Sequence, residues 1–306
     1  MKKISVAIRD FALPVPRTGS IELHSGYGPA PMTGQQAHVI AQAMRAEEYS
    51  NYRAEVWTSQ SFNTPDYQFV VSGRMDGVFD GGTTKIEEIK TAFNIEELKK
   101  KLITNPDHPY CLQLKTYGYF QYLQTRVVPE LSFHLVSMRN RKTLDVPVTL
   151  DIEEYEIWLQ LRLAELTEEA KVIEASTKRR KKIAKELEFP FAQPRPQQMD
   201  LLQTVADSLH TDAPLLVQAP TGLGKTAAVV YPVLKESLSR GEKLIYVTPK
   251  NSQHSVAEET IKLFQDQGHN VKSLTLRAKA KLCFKAEPIC NPDFCEYAKD
   301  HYQKVH

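Results

Sequence analysis

The sequence predicts an α/β protein built as two domains, and three observations carry that reading. The chain is 306 residues long, more than one typical domain and enough for two hydrophobic cores. Its first half alternates short runs of β-branched and aromatic residues with helical patterns. Its second half holds an apolar run at residues 215–217, a glycine-rich turn, and a helical pattern over residues 227–238.

Within residues 1–150 the elements follow in order. Residues 34–49 read as a helix, and residues 54–58, 69–79 and 85–90 read as strands. A helix begins after Asn94, its cap reinforced by Glu97 three residues on. A second helix covers residues 109–123, and strands follow at 131–138 and 143–150. Residues 151–188 form a helical linker rich in Glu, Lys, Arg, Leu and Ala, ending in the basic run Lys178-Arg179-Arg180-Lys181-Lys182. That run reads as a solvated face, with a phosphate-contacting strip as the alternative. The prolines of Glu188-Phe189-Pro190-Phe191 and Gln193-Pro194-Arg195-Pro196 mark a boundary, because each biases its predecessor out of the helical region. A second domain spans residues 189–276, and a cysteine-containing segment follows at 277–306.

A net charge of +2 says little about partners, so a nucleic-acid surface has to come from local clusters. No apolar run is long enough to span a bilayer, and the apolar residues 4–8 are cut off by Arg9-Asp10 before they could serve as a signal h-region. A cytoplasmic protein with no membrane partner is expected, its oligomeric state unspecified. Three of the four cysteines, Cys283, Cys290 and Cys295, crowd into one segment, which in a reducing compartment suggests a metal centre rather than a disulfide framework.

Two carboxylates and a lysine are expected to converge in the first domain. Asp76 ends the run Gly73-Arg74-Met75-Asp76, and the period of two puts Glu88 and Lys90 on one face of the next strand. Hard cations such as Mg²⁺ or Mn²⁺ take such oxygen ligands, and a lysine beside them stabilises charge developing on an attacked phosphate. His38 lies on the first helix, and Gln113 and Tyr117 share a helical face at i and i+4. In this order, Gly-x-x-x-His, Gly-x-x-Asp, Glu-x-Lys and Gln-x-x-x-Tyr resemble the RecB-type branch of the PD-(D/E)XK nucleases over about residues 1–150. The resemblance implies His38, Asp76, Glu88 and the carbonyl of Ile89 as metal ligands and Lys90 as the catalytic lysine. Gln113 and Tyr117 would orient the site or the DNA strand. Cys111 reads as a small buried hydrophobe.

In the second domain the run Ala219-Pro220-Thr221-Gly222-Leu223-Gly224-Lys225-Thr226 sits between a strand-like and a helix-like segment, the order of a nucleotide-binding site. Backbone N–H groups of Thr221, Gly222 and Gly224 would face the phosphates of ATP. Lys225 would reach the β and γ phosphates, and Thr226 would give a hydroxyl to Mg²⁺. Residues 243–247 read as a buried parallel-type strand. With Arg195-Pro196-x-Gln198 before it and Tyr246-x-Thr248-Pro249 after it, the loop resembles superfamily 2 helicases of the XPD and DinG type, and so the first part of a RecA-like domain. On that resemblance Gln198 reads the adenine, and Thr248 and its neighbours touch the DNA backbone. Cys283, Cys290 and Cys295 then stand where those helicases insert an iron–sulfur domain, implying a [4Fe–4S] cluster whose fourth ligand is missing from this chain. Zinc held by the three cysteines and His301 is the rival.

No apolar run ending in Asp-Glu follows Thr226, and the chain stops at His306 within the cysteine segment. The expectation is therefore the N-terminal portion of a longer protein, a metal-dependent DNA nuclease fused to an ATP-driven helicase. This portion would bind ATP poorly or not at all and would not unwind DNA. Two alternatives stay open: an inactive nuclease fold that grips DNA beside an ATPase motor, and a phosphate-loop ATPase acting on something other than nucleic acid.

Overall fold

A computed structural model describes residues 1–12, 33–211, 213–250, 253–287, 290, 292 and 294–304. The chain divides into two compact units, Met1–Glu168 with Ile289–His306, and Glu169–Pro288.

The first unit is a mixed parallel and antiparallel sheet with helices on both faces. In chain order its main elements are β1 (Lys2–Ala7), α1 (Ile8–Phe11), α2 (Gly34–Glu48), β2 (Tyr52–Asn63), β3 (Tyr67–Phe79), β4 (Lys85–Ala92), α3 (Ile95–Thr104), α4 (Pro109–Thr125), β5 (Glu130–Ser137), β6 (Thr143–Val148) and α5 (Ile152–Glu186), whose residues to Glu168 belong here. The strands run β1-β3-β4-β5-β6, with β2 also paired to β3. Thr64-Pro65-Asp66 folds β2 back on β3, and the Thr64 N–H donates to the Tyr67 carbonyl at 2.8 Å.

Strand β3 is longer than the partners along one of its edges. It pairs in parallel with β1 as far as Ala7↔Ser72 and antiparallel with β4 only from Gly77↔Glu87 onward. Residues 73–76 therefore lie at a fork between β1 and β4. The site described below occupies that fork.

Strands β4 and β5 pair in parallel and are covered on both faces. Ala37 and Ala41 of α2 pack on Ile89 and Val136 on one face. On the other face α4 approaches so closely that a Cβ on Gly118 would lie 2.9 Å from Leu131 Cδ1. Cys111 to Phe120 are consecutively buried, and Cys111 behaves as the expected small hydrophobe. The outer side of α4 is covered by α5, where the Tyr155 hydroxyl donates to Thr116 Oγ1 at 2.8 Å and the Tyr155 and Trp158 rings meet tilted, with centroids 5.1 Å apart. The expected Asn94 cap forms, its Oδ1 accepting from the Glu97 N–H at 3.2 Å.

In the second unit, α6 (Gln198–Ser208), α7 (Lys225–Arg240) and α8 (His254–Asp266) follow the end of α5. Leu187, Val230, Leu234 and Phe264 form one apolar cluster, and Leu201, Leu202, Val205 and Ala228 another. Short helix α9 (Lys279–Leu282) also belongs to this unit, and α10 (His301–Lys304) belongs to the first.

Two expected strands are absent here. Residues 215–217 and 243–247 form no strand, and Leu216 and Val247 are 94% and 84% exposed. A buried parallel strand needs hydrogen-bonded neighbours on its edges and cover on its faces. Among the described residues all strands belong to the first unit, so these runs have no ladder to join. Among the described residues the parallel sheet of a RecA-like domain is thus not formed, although the phosphate loop and its helix are. No helix is long and apolar enough to cross a membrane among the described residues.

Candidate functional site

Asp76 lies within β3 rather than at its end, at the point where β3 and β4 separate. One register step beyond Gly77↔Glu87 it would face Glu88. The strands have already parted, and the Asp76 carboxylate fills the fork by accepting the Ile89 N–H on Oδ2 at 2.7 Å. Its other oxygen, Oδ1, is 3.1 Å from Nε2 of His38, which α2 carries into the fork.

Alternation along β4 turns Glu88 and Lys90 toward α4, and the Lys90 ammonium meets Glu88 Oε1 at 2.7 Å. Gln113 Nε2 donates to the same oxygen at 2.7 Å, and Gln113 Oε1 lies 3.5 Å from Lys90 Nζ. The ammonium also sits 4.5 Å from the centre of the Tyr110 ring. Four residues after Gln113, the Tyr117 hydroxyl donates to the Arg74 carbonyl at 2.7 Å, tying α4 to the open edge of β3. The fold thus brings His38, Asp76, Glu88, Lys90, Gln113 and Tyr117 together from four elements.

Glu88 is 1% exposed, and its second oxygen, Oε2, has no hydrogen-bond partner among the described residues. Burial pushes its carboxyl up to about 7, Lys90 opposing and Asp76 adding to the shift. The ligand atoms within 4.8 Å of one another at the fork are those of His38, Asp76 and Glu55 of β2, a nitrogen and two carboxylates that suit a hard divalent cation, and Glu88 is not in that group. His38 and Asp76, two of the expected ligands, are in place for such a cation, and Glu88 lies on the adjoining strand with its Oε2 unsatisfied.

Glu55, on β2, is a further member that sequence reasoning missed. Single ligand atoms of His38, Glu55 and Asp76 all lie within 4.8 Å of one another. Glu55 has φ 54°, left-handed backbone inside a strand, a strained state for a residue with a side chain. The flanking pairs Ala54↔Gly77 and Val56↔Met75 keep register, and Gln42 Nε2 bonds both Glu55 Oε1 and the Asp76 carbonyl at 2.9 Å.

A cation here displaces protons, which sets a pH dependence. The Glu88 proton must leave, and the hydrogen bond to Asp76 raises the His38 pKa against the lowering effect of burial. Mn²⁺ affinity is therefore expected to rise from about pH 6 to about pH 8, by up to about tenfold per unit for each proton displaced. Titration calorimetry in metal-free buffers reads this directly, and Glu88→Gln should flatten much of the slope.

A second group of possible ligands, Glu87, His134 and Asp145, lies on the α2 side of the sheet. The Arg45 guanidinium already occupies it, with Nη2 2.9 Å from Glu87 Oε2, 2.9 Å from Asp145 Oδ1 and 2.8 Å from His134 Nδ1. This is a charge-compensated network rather than a cation site.

In the second unit the phosphate loop has the positive φ values its glycines permit, 86° at Gly222 and 81° at Gly224, and Gly224 caps α7. Lys225 leads the helix, but its ammonium donates to the loop's own carbonyls, Pro220 at 2.8 Å and Ala219 at 3.1 Å. Thr221 and Gly222 are exposed, and Thr226 is half-buried in the first turn. Gln198, expected to read adenine, is buried with both ends of its amide engaged. Oε1 accepts from the Arg195 N–H at 2.9 Å and Nε2 donates to the Gly224 carbonyl at 3.1 Å, so it braces the loop. Arg195 also donates to the Gly222 carbonyl.

Cys290 and Cys295 are buried against Ala298 in the unit that contains residues 1–168, whereas Cys283 belongs to the other unit. Among the described residues the groups able to hold a metal contain no cysteine.

Comparison with known proteins gives one family. Residues 196–287 match the DEAD/DEAH box helicase family, which supports a superfamily 2 helicase domain there, with ATP, Mg²⁺ and nucleic acid as the companions such a domain implies. No curated protein matches the chain. A solved structure titled "Crystal structure of SSO0001" is 17% identical, covering 53% of this chain and 73% of that one at a TM-score of 0.37.

Proposed function

We propose that the first unit is a divalent-metal-dependent DNA nuclease joined to an ATP-driven helicase segment of DinG/XPD-like type, acting in DNA processing or repair. The carrying observation is the convergence of His38, Asp76, Glu88 and Lys90 at the sheet fork, with Glu88 Oε2 buried and unsatisfied. When bound, Mg²⁺ or Mn²⁺ would supply Lewis-acid polarisation of a phosphate and a more acidic water. The chain's own groups do the rest. Asp76 and His38 hold each other's orientation at the fork, and Gln113 fixes one Glu88 oxygen and leaves the other without a hydrogen bond. Lys90, desolvated and aimed by Glu88 and Gln113, offers positive charge to the oxygen on which negative charge grows. Tyr117 pins the β3 edge on which Asp76 rides.

The DEAD/DEAH box match supports the helicase half. An iron–sulfur cluster at Cys283, Cys290 and Cys295 rests on the family resemblance alone. Among the described residues no group able to hold a metal contains a cysteine.

Incubating the protein with labelled single-stranded and duplex DNA tests the nuclease reading. Cleavage that needs Mn²⁺ or Mg²⁺ and stops with EDTA is expected. DNA binding with no cleavage under any of these cations would sink the catalytic claim and favour a nuclease fold retained for grip.

A further inference from the structure

We propose that Trp57 and Arg74 form a stacking platform for single-stranded DNA beside the fork, an inference that rests on the nuclease reading of that site. Strand β2 is an edge strand, where natural proteins avoid large exposed apolar side chains because they invite association. Trp57 nevertheless stands 62% exposed there, while the other tryptophan, Trp158, packs against Phe11 and Tyr155. The indole has no part in the core.

Its surroundings indicate a ligand. Trp57 is in register with Arg74 on β3, and cross-strand partners stand on one side of a sheet within about 5 Å. The Arg74 side chain is also well exposed, and its Nη1 lies 3.9 Å from Glu55 Oε2. Glu55 in turn borders His38 and Asp76. An aromatic face, a guanidinium and the candidate cation ligands therefore succeed one another across two paired strands. Trp57 is two residues from Glu55, ~7 Å along the strand, of the order of one nucleotide of an extended chain.

That sequence of groups suits a strand with unpaired bases. A base stacks on indole whatever its identity, and a guanidinium beside it neutralises phosphate. Bases within a duplex are already stacked on one another and cannot cover the indole. The platform thus selects unpaired DNA and sets the phosphate next to the stacked base over the fork.

The test uses the whole chain, with Ca²⁺ in place of Mg²⁺ and a twelve-residue oligodeoxythymidylate as probe. Trp57 emission, taken as the difference between the parent and Trp57→Phe, should be quenched by the oligonucleotide and left unchanged by a blunt duplex. Trp57→Ala should weaken oligonucleotide binding about tenfold, with Trp57→Phe recovering most of it. Arg74→Ala should lower affinity and reduce the salt slope by about one. Unchanged binding by Trp57→Ala, or equal quenching by the duplex, overturns the platform. Cleavage with Mn²⁺, followed in parallel, separates the two readings. A parent that cleaves while Trp57→Ala binds as before keeps the nuclease and removes the platform. A parent that is quenched but never cleaves keeps the platform and removes the nuclease.

Discussion

Lys90→Met is expected to lower metal-dependent DNA cleavage by about 100- to 1000-fold, the range seen when one aimed charge-stabilising donor is removed. Burial pulls the Lys90 ammonium toward the neutral form, but the charge and hydrogen bond of Glu88 outweigh it, so its pKa is raised and the side chain stays charged. With Glu88 and Gln113 holding it at 2.7 and 3.5 Å, the ammonium needs little reorganisation to meet a developing phosphate charge. Removing it also strips Glu88 of its counter-charge and raises that carboxyl further, so the cation should bind well only at higher pH. Single-turnover cleavage at saturating Mn²⁺, at two pH values, separates the two effects. A rate loss that persists once the site is filled belongs to Lys90 itself. Lys90→Arg should not rescue fully, since a planar guanidinium does not fit a position built around a point charge.

Arg45→Met should destabilise the first unit by about 3–5 kcal/mol, the cost of breaking a buried ion pair from one side. Glu87 is fully buried, and Arg45 meets both of its oxygens, at 3.2 and 2.9 Å, as well as Asp145 and His134. Without the guanidinium, a carboxylate remains in the interior with little to replace its water. The double variant Arg45→Met/Glu87→Gln should cost less than Arg45→Met alone, because it removes the stranded charge together with its partner. Urea unfolding followed by tryptophan emission reports on this unit specifically, since Trp57 and Trp158, the two tryptophans of the chain, both belong to it. A double variant as unstable as the single would place the effect in packing rather than in charge.

Much of the first unit was legible because its signals are local. The period of two along β4 fixed Glu88 and Lys90 on one face, and the i, i+4 spacing of α4 aligned Gln113 with Tyr117. Glu55 was not legible in that way, because its role depends on cross-strand register. Folding the hairpin about Thr64-Pro65-Asp66 pairs Asn63 with Gln68, and counting back along that register sets residue 55 against Asp76. The turn was the signal that would have found it. Strand β1 was missed because its parallel partner is far along the chain. The apolar runs at 215–217 and 243–247 failed for the opposite reason: strong strand propensity yields no strand without neighbours to take its hydrogen bonds.

The fork between β1 and β4 sets pairing against chemistry. Residues 73–76 of β3 could in principle be zipped to a neighbouring strand, and every added rung would tighten the sheet while closing over the place where Asp76 meets the Ile89 N–H. The protein gives up cohesion in the middle of its own sheet to keep a gap there. Such a gap is open to control from a distance. Anything that lengthens β1 by a residue or two, or draws β4 alongside sooner, would silence the site with all its side chains intact, and a screen confined to reactive residues would overlook it.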